Sequence, residues 1–63
     1  MFLYAIRDKT TGKFIHETGV GTRKTWYPAV GWAEKRIVKL CNMSPRFKED
    51  NLEVVKFELV EVK

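Results

Sequence analysis

From Val30 to Asn42, in the stretch VGWAEKRIVKLCN, apolar residues recur with the period of a helix, whereas the segments on either side alternate as strands do. On a wheel of about 100° per residue, Val30, Ala33, Ile37, Leu40 and Cys41 fall in one arc, and Glu34, Lys35, Lys39 and Asn42 lie mostly opposite. A lone amphipathic helix of about three turns has no second helix to bury its stripe, so it must pack on a sheet. Pro28 suits a first turn, and the NMSP that follows offers Asn42 as a left-handed C-terminal residue with Pro45 as the stop.

The strands are legible around it. FLYAIR (2–7) and KFIHETGV (13–20) are rich in aromatic and β-branched residues and flank DKTTG, where Gly12 supplies the positive φ that a hairpin loop of this length needs. RKTWY (23–27) precedes Pro28, which biases it toward extended backbone, and it reads as a short third strand. LEVVKFELVEV (52–62) alternates clearly up to Leu59; Val60 and Val62 then fall on the wrong face, which calls for either a β-bulge near Leu59 and Val60 or cover on both faces. The expected architecture is α+β, in the order β-β-(β)-α-β. It is a small antiparallel sheet of three to four strands with one helix packed on one face, in a single compact domain over residues 1–63.

Alternation assigns faces. If the helix covers Phe2, Tyr4, Ile6, Phe14, Trp26, Val55 and Phe57, with Ile37, Leu40 and Phe57 meeting in the core, the second face carries Leu3, Ala5, Arg7, Ile15, Glu17, Tyr27 and Lys56. Leu3 and Ile15, with Tyr27, then form an uncovered contact surface suited to self-association as a homodimer or to partner docking.

A chain of 63 residues buries only about 60 per cent of the surface its unfolded form exposes. The 44 per cent of hydrophobic residues still argue for a folded chain. Cys41 is the only cysteine and His16 the only histidine, so no internal disulfide and no complete zinc site is available, and a reducing setting with no metal and no cofactor is expected. Met1 to Ile6 is apolar but is followed at once by RDK, which is unlike a signal peptide, and no run approaches the roughly 20 residues of a membrane span. The expected location is cytoplasmic, away from membranes.

Catalytic signals are weak. Cys41 lies on the apolar arc of the helix, His16 alternates with Phe14 and Thr18 on a strand, and the acids of the last strand are spaced like a solvated face. GVGTRK (19–24) has the glycines and cations of a phosphate loop but is two residues short of its spacing. The expectation is a protein that is not an enzyme.

Charge is uneven along the chain. Residues 1–48 hold ten Lys and Arg against three acids, a net +7; residues 49–63 hold two Lys against five acids, a net −3; the total is +4. Within the basic part, RKTWYPAVGW (23–32) gathers three large aromatics, and the expected binding patch is Arg23, Lys24, Tyr27, Trp32, Arg36 and Lys39, with the Trp32 ring half exposed under the Arg36 guanidinium and Trp26 in the core between strand and helix. Two readings stand. Tyr, Trp and Arg are the residues of protein interface hot spots; aromatics among cations also suit single-stranded nucleic acid, where bases stack and phosphates follow the charges.

YAIRDKTTGKFI, KTWYPAVGWAEKRIVKL and LEVVKFELVEV together resemble small phage- and prophage-encoded proteins of unknown function, which begin with an aromatic hairpin and continue with a Trp strand, an Ala/Lys helix and a Glu/Val strand. The likeness is one of patterning over most of the chain. It implies a setting, in which such a chain binds a host protein, as an inhibitor or modulator of a host factor such as a defence component, in the host cytoplasm. It supplies no site residues.

Overall fold

A computed structural model of the chain describes residues 1–17 and 19–60. Four strands, β1 (Phe2–Asp8), β2 (Phe14–His16), β3 (Gly19–Gly21) and β4 (Leu52–Glu58), form one antiparallel sheet in the order β3-β2-β1-β4, with the helix α1 (Val30–Met43) on one face and a single 3-10 turn, Glu49–Asn51, leading into β4. This is the small α+β fold the periodicities predict. The segment expected as a third strand contributes only one bridge, Tyr27 to Tyr4; β3 is instead the GVG that follows His16 and Glu17.

Local chemistry explains the turns. In the first hairpin Asp8 accepts hydrogen bonds at one carboxylate oxygen from the Thr10 and Thr11 N–H groups at 2.8 and 3.2 Å, and from the Asn51 side-chain amide at 3.0 Å. Gly12 takes φ +73° and donates its N–H to the Asp8 carbonyl at 2.8 Å, as its position in the loop requires. The helix begins after Ala29, with Pro28 just outside it and no side-chain cap. It ends differently from expectation. No non-glycine residue among those described has positive φ, so Asn42 stays helical; Ser44, held extended at φ −144° as the residue before Pro45, closes the helix by donating its N–H to the Leu40 carbonyl at 3.0 Å.

Register decides which residues form the core. On the β2 side of β1 the pairing is Ile6 with Ile15 and Arg7 with Phe14; on the β4 side it is Ile6 with Val54 and Tyr4 with Lys56. Directly opposed residues share a face, so one row runs Val20, Ile15, Ile6, Val54 beneath the helix. Ile6, Ile15, Ala33, Ile37, Leu40 and Leu52 make up the buried cluster, with Tyr4, Val20, Tyr27, Cys41, Phe47 and Val54 packed against it.

Many of the expected face assignments are therefore inverted. Phe14, Trp26, Val55 and Phe57 lie on the face away from the helix, and Ile15, expected in the open, is only 5 per cent exposed in the core, where Tyr27 joins it. On β4 the cause is that Val54, not Val55, is set opposite Ile6; on β2 it is the hairpin. Asp8 donates its N–H to the Lys13 carbonyl at 2.8 Å, which pairs even-numbered β1 residues with odd-numbered β2 residues, so Phe14 faces away from Ile6. No bulge is needed at Leu59: β4 closes at Glu58, Leu59 continues the ladder by donating to the Met1 carbonyl at 2.8 Å, and both Leu59 and Val60 are exposed. Val62, with Glu61 and Lys63, lies outside the described residues.

Leu40→Ala is expected to cost about 2–5 kcal/mol, since a buried leucine is replaced by a cavity under the sheet. Against roughly 0.05–0.15 kcal/mol per residue, or about 3–9 kcal/mol for 63 residues, that is a large share of the total stability and should lower the urea midpoint clearly. Val38→Ala, on the exposed side of the same helix, is the control and should change the urea midpoint little.

Candidate functional site

The face away from the helix is not bare. Ala5 points to it from the middle of β1, between Leu3, which pairs with Phe57, and Arg7, which pairs with Phe14 and Glu53. An alanine there leaves room for rings from either side, and the two phenylalanines reach diagonally over it until their centroids are 5.9 Å apart. Trp26 meets Phe57 edge to face at 5.2 Å and 89°. Ala5 is consequently 0 per cent exposed without any helix above it.

Lys24 completes the cluster. Its ammonium stands 4.3 Å from the Phe14 ring centroid and 5.8 Å from that of Phe57, within the range of a cation–π contact. At the far end of the same face Arg7 and Glu53 form an ion pair, the Arg7 Nε donating at 2.7 Å. This surface is thus aromatic at its centre, with one cation over the rings and a neutralised pair at its rim.

Trp26 and Tyr27 are adjacent, so alternation sends them to opposite faces, and the chain brings them there by a strand exchange. β2 ends at His16, and Tyr27 takes the vacated edge of β1, its N–H and carbonyl both bonded to Tyr4 at 2.8 and 2.9 Å. The divergence of His16 and Glu17 from Thr25 and Tyr27 opens a wedge. On the helix side it is a cleft of about 350 Å³ lined by Ile15, His16, Glu17, Thr25, Tyr27 and Arg36; beside it a second cleft of about 320 Å³ is lined by His16, Glu17, Arg23, Lys24, Thr25 and Trp26.

The six expected patch residues divide between these places. Tyr27 and Arg36 do come together: the Arg36 guanidinium donates toward the phenol oxygen, in the first cleft. Arg23 and Lys24 line the second, and Lys24 also caps the rings. Trp32 is 65 per cent exposed, and Arg36, expected over its ring, is turned to Tyr27. Lys39 is exposed on the helix and lines neither cleft. Trp26, expected in the core, is 42 per cent exposed on the aromatic face. Of the secondary pair, Leu3 is half-buried on that face, and Ile15 is in the core.

Sequence reasoning missed Phe14, Trp26 and Phe57 as surface aromatics, and His16 and Glu17 as cleft residues. The step from Asp8 to Phe14 bears only on Phe14; Phe57 is placed by the pairing of β4 with β1 and Trp26 by the bridge of its neighbour Tyr27 to Tyr4, and neither has a local signal. Among the described residues no group of three or more His, Cys, Asp and Glu side chains is arranged to hold a metal ion, and no helix is long and apolar enough to cross a membrane.

Burial raises the Tyr27 phenol above its ordinary value near 10; the Arg36 charge and hydrogen bond act against this, and Glu17 adds to it. An acid whose folded pKa is raised contributes stability that is complete below about pH 10 and is lost as pH climbs through the folded value. Tyr27→Phe should therefore lose less stability than the parent above about pH 10 in alkaline denaturation curves. Arg36→Gln should move the Tyr27 titration, followed by ultraviolet difference absorbance, to still higher pH.

Comparison with protein-family models, with curated proteins and with solved structures finds no match for this chain.

Proposed function

We propose that this chain is a small non-enzymatic protein-binding module that docks on its partner through the aromatic face, with Trp26 as the anchor and Lys24 and Arg23 beside it. The carrying observation is the ring cluster Phe14, Trp26 and Phe57, packed ring on ring on the face that no helix covers, with Trp26 still 42 per cent exposed. Rigid aromatics flanked by a cation are what protein hot spots are made of, because large area is buried at little cost in side-chain entropy.

Charge favours a protein over a nucleic acid. A single strand is held by a line of cations following its phosphates, whereas here Arg7 is neutralised by Glu53, Lys56 stands over Phe2 on the helix-side face of β4, and Lys35 and Lys39 are on the exposed side of the helix. The cations are spread around the molecule. The patterning shared with small phage-encoded proteins supports a host factor as the partner, with this chain acting as its inhibitor or modulator in the host cytoplasm.

Affinity capture from host lysate, followed by titration of the isolated partner, tests this. Capture should survive nuclease, and affinity should change by less than about tenfold between 50 and 200 mM salt, where a protein contacting many phosphates loses about 10³ or more. Trp26→Ala, checked for folding by circular dichroism, should weaken binding by at least about tenfold, the loss of about 1.4 kcal/mol at a hot spot. Capture abolished by nuclease would move the assignment to single-stranded nucleic acid, and unchanged binding by folded Trp26→Ala would remove the aromatic face.

A further inference from the structure

β4 is an edge strand. The sheet order leaves β1 as its only strand neighbour among the described residues. The direction of its backbone groups follows from the ladder. Leu59 donates to the Met1 carbonyl, which makes Phe2 and Glu58 a non-hydrogen-bonded pair; Tyr4, paired with Lys56, spends its N–H and carbonyl on Tyr27 at the opposite edge of β1. The N–H and carbonyl groups of Val54, Lys56 and Glu58 therefore point outward, away from β1, as a template for one more strand.

The side chains on this edge select what can pair there. Natural edges are blunted with charge; of the three charges on β4, Glu53 is paired with Arg7 on the aromatic face, which leaves Lys56 and Glu58, both exposed, on the helix side. A second copy of β4 docking antiparallel must set outward residues opposite outward residues. Centring the pair on Lys56 puts two lysines face to face, centring it on Glu58 puts two glutamates face to face, and centring it on Val55 sets Lys56 against Val54. Centring on Phe57 alone sets Lys56 opposite Glu58 twice over, on the same face, once on each side of the dyad.

We infer that β4 is a self-complementary edge through which two copies of this chain join in that one register, Lys56 of each opposite Glu58 of the other. The two pairs at the dyad each exchange two backbone hydrogen bonds. The sheets fuse into one of eight strands, both helices on one side, and the two Phe57 side chains meet on the other, so that the two aromatic clusters become one continuous surface. The interaction differs from the docking of a partner on the aromatic face: it is carried by the backbone edge and two charges on the helix side, and of the aromatic cluster only Phe57 reaches the seam.

Sedimentation equilibrium of the full chain over a range of concentrations up to about 1 mM should show a monomer–dimer equilibrium. Lys56→Glu and Glu58→Lys, each of which opposes like charges in this register, should weaken self-association by at least about tenfold. The double exchange, Lys56→Glu with Glu58→Lys, should restore it. Lys56→Pro removes an outward N–H that β1 does not use, so it should keep the circular dichroism of the parent and lose the dimer. A parent that remains monomeric throughout, or single reversals that associate as tightly as the parent, would overturn the inference. So would a double exchange no better than the single reversals.

Discussion

The register of β1 with its two neighbours is the constraint on which the rest depends. Ile6, fully buried at the centre, is set opposite Ile15 on one side and Val54 on the other, and that row is what the helix covers with Ala33, Ile37 and Leu40. Because side chains alternate with period two, the same pairing sends Phe14 and Phe57 to the reverse side. A shift of one residue in either strand would exchange the core for the surface.

A domain this small gains from using both faces of its sheet. One is covered by the helix; the other covers itself, with three rings gathered over a single alanine. That second layer stabilises the fold and also presents it, since the rings that shield Ala5 are partly exposed. The cation–π contacts are of the same kind. Lys24 over Phe14 and Lys56 over Phe2 set ammonium groups over rings that a larger protein would bury under another element.

The short length of β2 creates the clefts. Had it continued alongside β1 past His16, it would have closed the edge that Tyr27 now occupies, and no wedge would separate Glu17 from Thr25. The exchange also explains why adjacent residues do such different things. Tyr27 is drawn in toward the helix and Arg36, while Trp26 is turned out onto Phe57. The RKTWY segment joins the sheet by a single bridge to Tyr4, and its side chains reach both faces.

Much was legible in the residues alone. The helical stripe at Ala33, Ile37 and Leu40, the turn at Gly12, the stop at Pro45 and the strand alternation after Leu52 each depend on interactions within a few positions, so the element order and the α+β class follow from local chemistry. Tyr27 and Arg36 belong to one expected patch, but their meeting on the helix side was not legible, because alternation had set Tyr27 on the opposite face. What the chain could not show by pattern was which face of each strand turns inward. Ile15 and Phe14, or Val54 and Phe57, are equally apolar, and alternation gives two sets without naming the buried one. That choice was made by a backbone bond between Asp8 and Lys13 and by the pairing of β1 with a strand some fifty residues away. Tertiary structure decided it because parity in a sheet is a property of the pair of strands, absent from either strand by itself.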